Sequence, residues 1–198
     1  MEKGTEKSLT KEIIITGFGG QGIVLAGRIL GQAASLGDNK QSTLVQSYGP
    51  EARGGACSAD VIISDNTIHY PNVRHPDILV CMSKSGFDKF IDQMKEDGTL
   101  LIDQDLVEMG KNKRKAYAIP ATRMAEELGR KMMANIIMLG FFTSITQAIS
   151  VDAARNTVIE SVPKGTEEMN TKAFNKGYDY GLAILKGQQK KAAGLTEA

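Results

Sequence analysis

The segment EIIITGFGGQG, from Glu12 to Gly22, joins a run of β-branched residues to a glycine-rich turn. Branched aliphatic residues favour a buried strand, which would end at Gly17. From Gln21 onward, apolar residues recur at helical spacing until Gly37, where a helix can stop. The stretch therefore predicts a strand, a tight turn and a helix, which is the opening of an α/β fold.

The rest of the chain continues to alternate between strand and helix patterns. Further strands are predicted over 42–48, 56–64, 78–82, 99–103 and 117–119, and helices over 85–94, around 124–128, and over 132–145, 153–162 and from 167 onward. The second and third strands are linked directly, so they should be antiparallel. The prediction is a three-layer Rossmann-like α/β domain, with a mixed, partly parallel sheet and helices on both faces.

Length and composition predict one domain. The chain has 198 residues, of which 41% are hydrophobic, and we assign residues 12–187 to the domain, 1–11 to a flexible leader and 188–198 to a disordered tail. A net charge of +1 provides no global field for nucleic acid or an anionic membrane. The start does not resemble a secretory signal, and the longest apolar stretch, 136–142, falls far short of the roughly 20 residues that span a bilayer. We expect a cytoplasmic protein.

The first glycine-rich loop fits the pattern G-x-G-x-x-G directly after a buried strand. The candidate anion-binding residues are Gly17, Gly19, Gly20, Gln21 and Gly22. Glycines let backbone amides approach an oxyanion, and the helix N-terminus adds positive charge. Alternatively, the same glycines only permit a tight turn and close packing of helix on strand. The sequence leaves both interpretations open.

An ordinary NAD site needs a carboxylate at the end of the second strand to bind the ribose hydroxyls. The chain has Gln46 and Ser47 there instead. Free-standing NAD binding is therefore disfavoured.

A second glycine-rich loop, residues 49–55, supplies Glu51, Arg53 and Gly54. A right-handed crossover would bring the carboxyl ends of the first and second strands to the same edge of the sheet. Arg53 would then face the first loop, where a guanidinium can bind phosphate through two parallel hydrogen bonds. Alternatively, Glu51 and Arg53 form a surface ion pair that braces a turn or a subunit contact.

Cysteine and histidine counts limit the chemistry. Cys57 and Cys81 are the only cysteines, and His69 and His75 the only histidines, so the chain cannot supply the four thiolates of an ordinary iron–sulfur cluster. Cys57 fits a small buried strand residue, and the histidines fit loop or surface positions. The sequence therefore predicts neither catalytic residues nor metal ligands.

The two loops together resemble a known family. GFGGQGIVLAG at 17–27, QSYGPEARGG at 46–55 and the strand at 59–64 are similar to the gamma subunit of 2-oxoacid:ferredoxin oxidoreductases. The resemblance covers nearly the whole chain. The second loop is most similar to the 2-oxoglutarate branch of that family.

The resemblance implies a role in a hetero-oligomeric enzyme. Such enzymes convert a 2-oxoacid, here 2-oxoglutarate, to its acyl-CoA, here succinyl-CoA, and reduce ferredoxin. Thiamine diphosphate and iron–sulfur clusters would be held by alpha, beta and possibly delta subunits, which makes this chain a non-catalytic subunit that is inactive alone. Its loops would bind coenzyme A or only contact partner subunits. Pyruvate, branched-chain and indolepyruvate enzymes remain alternatives, as do a free-standing nucleotide-binding protein and a purely structural scaffold.

Overall fold

A computed structural model of the chain describes residues 10–48 and 56–192. Its strands are β1 (Thr10–Phe18), β2 (Gln41–Tyr48), β3 (Ala56–Ser64), β4 (Ile78–Cys81), β5 (Thr99–Asp103) and β6 (Ala116–Ile119). Its α-helices are α1 (Ile23–Gln32), α2 (Lys84–Phe90), α3 (Ala121–Glu127), α4 (Ala134–Thr146), α5 (Val151–Ser161) and α6 (Glu167–Ala192). A π-helical turn, Ala33–Gly37, extends α1, and 3₁₀ turns occupy Ile91–Gln93 and Lys131–Met133.

The described strands form one mixed sheet in the order β2-β3-β1-β4-β5-β6. Strands β1, β4, β5 and β6 are parallel to one another, whereas β3 runs antiparallel to both of its neighbours, β1 and β2. The predicted mixed sheet and the antiparallel β2–β3 pair are confirmed. Because β3 lies between β1 and β2, those two strands are parallel without being adjacent.

Helices cover both faces of the sheet, as predicted. Alternate residues of β1 point to opposite sides: Ile13 and Ile15 contribute to a large core under α1, α4 and α6, and Ile14 to a smaller core. In the smaller core, Phe87 and Phe90 pack against the other face. The residues that face the two cores alternate because successive side chains of a strand point to opposite faces.

Helix α6 ends later than the sequence predicted. It continues to Ala192, so the predicted disorder from Gln188 onward is wrong for 188–192. Glu167 and Glu168 in the first turn and Lys190 and Lys191 in the last complement the helix dipole at both ends. Strand β1 likewise begins at Thr10, inside the predicted leader, where Thr10 pairs with Ser64 of β3.

Helices α4 and α6 pack backbone to backbone through two glycines. A β-carbon at Gly140 would overlap the Phe174 carbonyl, and one at Gly177 would overlap the Ile137 carbonyl. Helix α4 is almost wholly buried, from Ala134 to Ser144. The close contact fixes α6 against the central helix of the larger core.

Within residues 10–48 and 56–192, no helix combines the length and apolar character needed to cross a bilayer.

Candidate functional site

The first glycine-rich loop connects β1 to α1 and is closed by Gln21. The Gln21 backbone amide donates to the Phe18 carbonyl oxygen at 3.1 Å, and its side-chain oxygen accepts from the Phe18 amide at 2.6 Å. Its side-chain NH₂ donates to the Met82 carbonyl oxygen at 3.0 Å, just beyond the end of β4. Gln21 therefore joins the ends of two neighbouring parallel strands, a structural role that the motif alone did not reveal.

Two glycines of this loop are required by packing. A β-carbon at Gly17 would lie 2.6 Å from Cδ1 of Ile23 and would overlap the side-chain oxygen of Gln21. At Gly22, which has φ of +71°, a β-carbon would overlap the side-chain amide of Asn135. The tight-turn interpretation therefore accounts for Gly17 and Gly22. The φ of Gly20, +97°, is also a conformation that favours glycine in a tight turn, so among the glycines of this loop Gly19 is left without such a reason.

Asn135 was not predicted from the sequence. It is buried in the first turn of α4 and donates through its side-chain NH₂ to the Gly22 carbonyl oxygen at 3.1 Å, across 113 residues of chain. Its side-chain oxygen accepts from the Ile136 amide at 2.9 Å. A lone asparagine in an apolar helix was the available signal, because a buried amide needs hydrogen-bond partners. Asn135 ties the loop to α4.

The exposed part of the loop consists of Phe18, Gly19 and Gly20. Gly20 has φ of +97°, and a β-carbon there would meet no atom within 4 Å. Helix α1 follows this exposed part of the loop, and Gly22 is its N-cap. No side chain caps the helix, and its first turn has no acidic residue. The positive end of the helix dipole is thus left uncompensated by the described side chains, which suits an anionic group.

The second loop, with Glu51, Arg53 and Gly54, lies outside the described residues. The strands that flank it are described. Gly17 of β1 pairs with Cys57 of β3, which pairs in turn with Tyr48 of β2. The carboxyl ends of β1 and β2 therefore lie at one edge of the sheet, as predicted, with the first residues of β3 between them. The orientation of the three predicted side chains stays a prediction.

A mostly apolar groove of about 360 Å³ begins beside the first loop. Gly22 and Leu25 form one wall, the 3₁₀ turn with Met132 and Met133 a second, and Met169 of α6 a third. Met132 is 76% exposed. Arg130 adds positive charge at the groove, and Lys131, which also lines it, pairs with Glu126 at 3.5 Å. The segments that form it lie far apart in the chain, so no sequence motif marks it.

The cysteines and histidines occupy the environments predicted for them. Cys57 and Cys81 are buried in β3 and β4 as free thiols, and burial raises the pKa of both. His69 and His75 are exposed. In residues 10–48 and 56–192, no three His, Cys, Asp or Glu side chains converge in a way that could hold a metal ion.

Comparison with known proteins decides the family. Residues 12–180 match the model of the pyruvate ferredoxin/flavodoxin oxidoreductase family. The chain belongs to this family. Its membership confirms the resemblance found in the two loops, and the chain is a subunit of a 2-oxoacid:ferredoxin oxidoreductase.

The chain can also be compared with individual members of the family. It is 51% identical to the 2-oxoglutarate synthase subunit KorC of Methanocaldococcus jannaschii, over 86% of this chain and 94% of that protein. It is 33% identical to the pyruvate synthase subunit PorC of Methanothermobacter marburgensis, over 85% and 96%. The crystal structure of the keto/oxoacid ferredoxin oxidoreductase gamma subunit from Geobacter sulfurreducens superposes with a TM-score of 0.78 at 40% identity, covering 87% of this chain and 99% of that one. The α/β fold is therefore that of a gamma subunit of the family.

Proposed function

We propose that the chain is a non-catalytic gamma subunit of a 2-oxoglutarate:ferredoxin oxidoreductase, which forms succinyl-CoA and passes electrons to ferredoxin. The observation that carries the choice of substrate is the identity of 51% to a 2-oxoglutarate synthase subunit, against 33% to a pyruvate synthase subunit. The second loop, which resembles the 2-oxoglutarate branch, supports the same choice. Enzymes for pyruvate, branched-chain oxoacids and indolepyruvate are the alternatives.

The non-catalytic role rests on what the chain can bind. Its two cysteines cannot supply the four thiolates of an iron–sulfur cluster, and both are buried within strands. These residues do not fit a cluster, so we assign the clusters and thiamine diphosphate to alpha, beta and possibly delta subunits. The gamma subunit then supports the complex from outside the redox centres, and a cytoplasmic location remains part of the proposal.

Coenzyme A is the ligand that best fits the two loops. Its pyrophosphate and 3′-phosphate require hydrogen-bond donors and positive charge. Exposed Gly19 and Gly20 beside the uncapped start of α1 offer backbone donors, and Arg53 offers a guanidinium. Glu51 would orient Arg53, and Gly54 would allow close approach. Contact of the same loops with a partner subunit is the competing role.

The groove at Met132 is the surface that we assign to a thiamine-binding partner subunit. A methionine that is 76% exposed beside an apolar groove is a costly feature for an isolated chain, and it is removed from water when another subunit covers it. Arg130 favours an apolar segment with an acidic flank, whereas Lys131 already pairs with Glu126 at 3.5 Å. The groove and the first loop share Gly22, so one partner can contact both.

Anaerobic affinity purification of the tagged full-length chain from its native cells tests complex membership. We expect thiamine-diphosphate and iron–sulfur subunits to co-purify in fixed proportion, and the complex to reduce ferredoxin with 2-oxoglutarate and coenzyme A. Turnover of pyruvate instead would move the assignment to the pyruvate branch. Purification of the chain alone, with a bound nucleotide, would contradict the proposal.

Two matched variants test the finer assignments. In the assembled enzyme, Arg53→Glu should raise the KM for coenzyme A at least about tenfold, whereas Arg28→Glu, an equal charge change on the exposed side of α1, should not. An unchanged KM would contradict coenzyme A binding at the loops.

Met132→Glu should reduce recovery of partner subunits, while Tyr70→Glu, at another exposed position, should not. Equal recovery with both would exclude the groove as the contact.

A further inference from the structure

Strand β2 is an unprotected edge of the described sheet. It spans Gln41–Tyr48 and pairs only with β3 among the described strands. Its sequence, QSTLVQSY, contains no charged residue and no proline. Its outer side therefore presents a row of backbone donors and acceptors that can template another strand. No residue within the strand blocks such pairing, and the adjacent Lys40 is ion-paired with Asp65 at 3.9 Å.

The opposite edge of the same sheet is different. Strand β6 has four residues, Ala116–Ile119, and directly follows a basic run over 111–115. Short length and adjacent lysines are two common ways of blocking edge-to-edge association. The two edges of the described sheet therefore differ in how far they are blocked against pairing.

Exposed apolar side chains accompany the open edge. On β2, Leu44 is 37% and Tyr48 64% exposed. Leu36 is 79% exposed in the π-helical turn that packs against β2. All three belong to the large hydrophobic side chains that are exposed among the described residues. A partner that extends the sheet would cover apolar side chains as well as pair the backbone.

We infer that β2 pairs antiparallel with β2 of a second copy of the chain. A two-fold axis perpendicular to the sheet keeps each face of one copy beside the same face of the other. Centred at Leu44, this pairing sets Leu44 opposite the partner's Leu44 and Ser42 opposite the partner's Gln46. Since every residue of β2 is uncharged, self-pairing brings no like charges together. A strand of eight residues, about 27 Å long, then contributes to an isologous interface.

The resulting dimer has one continuous sheet with six strands from each copy. Because the two β2 strands run in opposite directions, the β1–α1 loops of the two copies lie at opposite ends of the strands in that sheet. The groove at Met132 also stays clear of β2, since it is lined by residues of α1, α4, α6, the turn before α4 and the segment 162–166. Pairing through β2 is therefore compatible with binding of other subunits, and it does not depend on the proposed substrate.

Sedimentation equilibrium of the full-length chain over a concentration series tests the inference. The wild-type chain should be a dimer, and Leu44→Lys and Leu44→Glu should each raise the dissociation constant at least about tenfold, because they oppose like charges at the two-fold axis. An equimolar mixture of the two variants should dimerise again. Gln104→Lys, at an exposed position beyond β5, is the control and should behave as wild type.

A second variant separates loss of pairing from loss of folding. Gln46→Lys alters an exposed side chain of β2 and should weaken the dimer while the circular dichroism spectrum is unchanged. A wild-type chain that stays monomeric at every concentration would overturn the inference, as would a dimer that none of the β2 variants weakens. If the chain is monomeric alone and Leu44→Lys reduces recovery of other subunits, the edge takes a strand of another subunit and the second-copy pairing is wrong.

Discussion

The side-chain NH₂ of Asn135 donates to the Gly22 carbonyl oxygen at 3.1 Å and fixes the glycine-rich turn to the buried helix α4. A β-carbon at Gly22 would occupy the space of that amide. The contact explains why a glycine stands at the helix N-cap, where serine, threonine or aspartate is more usual. The turn is therefore positioned by packing and hydrogen bonds before any ligand or partner binds.

Gly22→Ala should lower the free energy of unfolding by about 2 to 3 kcal/mol. An alanine at φ of +71° costs about 1–2 kcal/mol, and displacement of the Asn135 amide removes a hydrogen bond worth about 1 kcal/mol. Gly20→Ala is the matched control, because it also has positive φ but open space around the new methyl. Urea denaturation of both variants gives the comparison. Equal losses would show that the Asn135 contact contributes nothing.

Gln21→Ala should cost about 1 to 3 kcal/mol of stability, since it removes the hydrogen bonds to the Phe18 amide and the Met82 carbonyl. Gln104→Ala, on an exposed side chain, should be nearly neutral. Hydrogen exchange measured by mass spectrometry should also show faster exchange at the Phe18 amide in Gln21→Ala. Unchanged exchange there would contradict the bridging role.

Replacing each of two glycines of α6 with alanine should change the stability of the chain in opposite directions. Gly177→Ala should destabilise the chain by roughly 3 kcal/mol or more, because its methyl would overlap the Ile137 carbonyl. Gly187→Ala, in the same helix with nothing within 4 Å, should stabilise it by about 0.5–1 kcal/mol. Thermal unfolding of both variants is the measurement. Destabilisation by both, to a similar extent, would argue against the close helix contact.

Asp103 should make stability depend on pH in an unusual direction. It is fully buried at the end of β5 and accepts hydrogen bonds from the Thr122 amide and hydroxyl at 2.9 and 2.6 Å. Burial nevertheless raises the pKa of its carboxyl. The protonated form is therefore favoured in the folded chain. The stabilisation that protonated Asp103 gives to the folded chain is fully present below the pKa of the unfolded chain, about 3.9. It is lost as pH rises through the higher pKa of the folded chain.

Asp103→Asn cannot titrate and isolates this contribution. Its stability deficit relative to wild type should be larger near pH 4 than at pH 7, measured by urea denaturation at both values. The asparagine also loses part of the hydrogen bonding to Thr122, and this loss lowers the stability of the variant by a similar amount at both pH values. A deficit that is larger at pH 7 would show that the hydrogen bonds outweigh desolvation and that the pKa is lowered instead.

The sequence predicted local structure well because local patterns determine it. Strands β3 and β5 begin and end where predicted, and Ser150 caps α5 by accepting from the Ala153 amide at 3.2 Å, a local contact of the kind that a serine before a helix commonly makes. The order of strands was not predicted, because the insertion of β3 between β1 and β2 depends on which surfaces pack best. The Asn135 contact and the groove at Met132 join segments distant in the chain, so no spacing rule could reveal them.

The position of β3 sets a minimum span at the candidate site. Adjacent strands lie about 4.7–4.9 Å apart, so the backbones of Gly17 and Tyr48, with Cys57 between them, are separated by about 10 Å. A single inorganic phosphate is too small to touch both strand ends. Any one molecule that contacts both strand ends must therefore be an extended ligand with binding groups about 10 Å apart, or a protein loop wide enough to cross three strands.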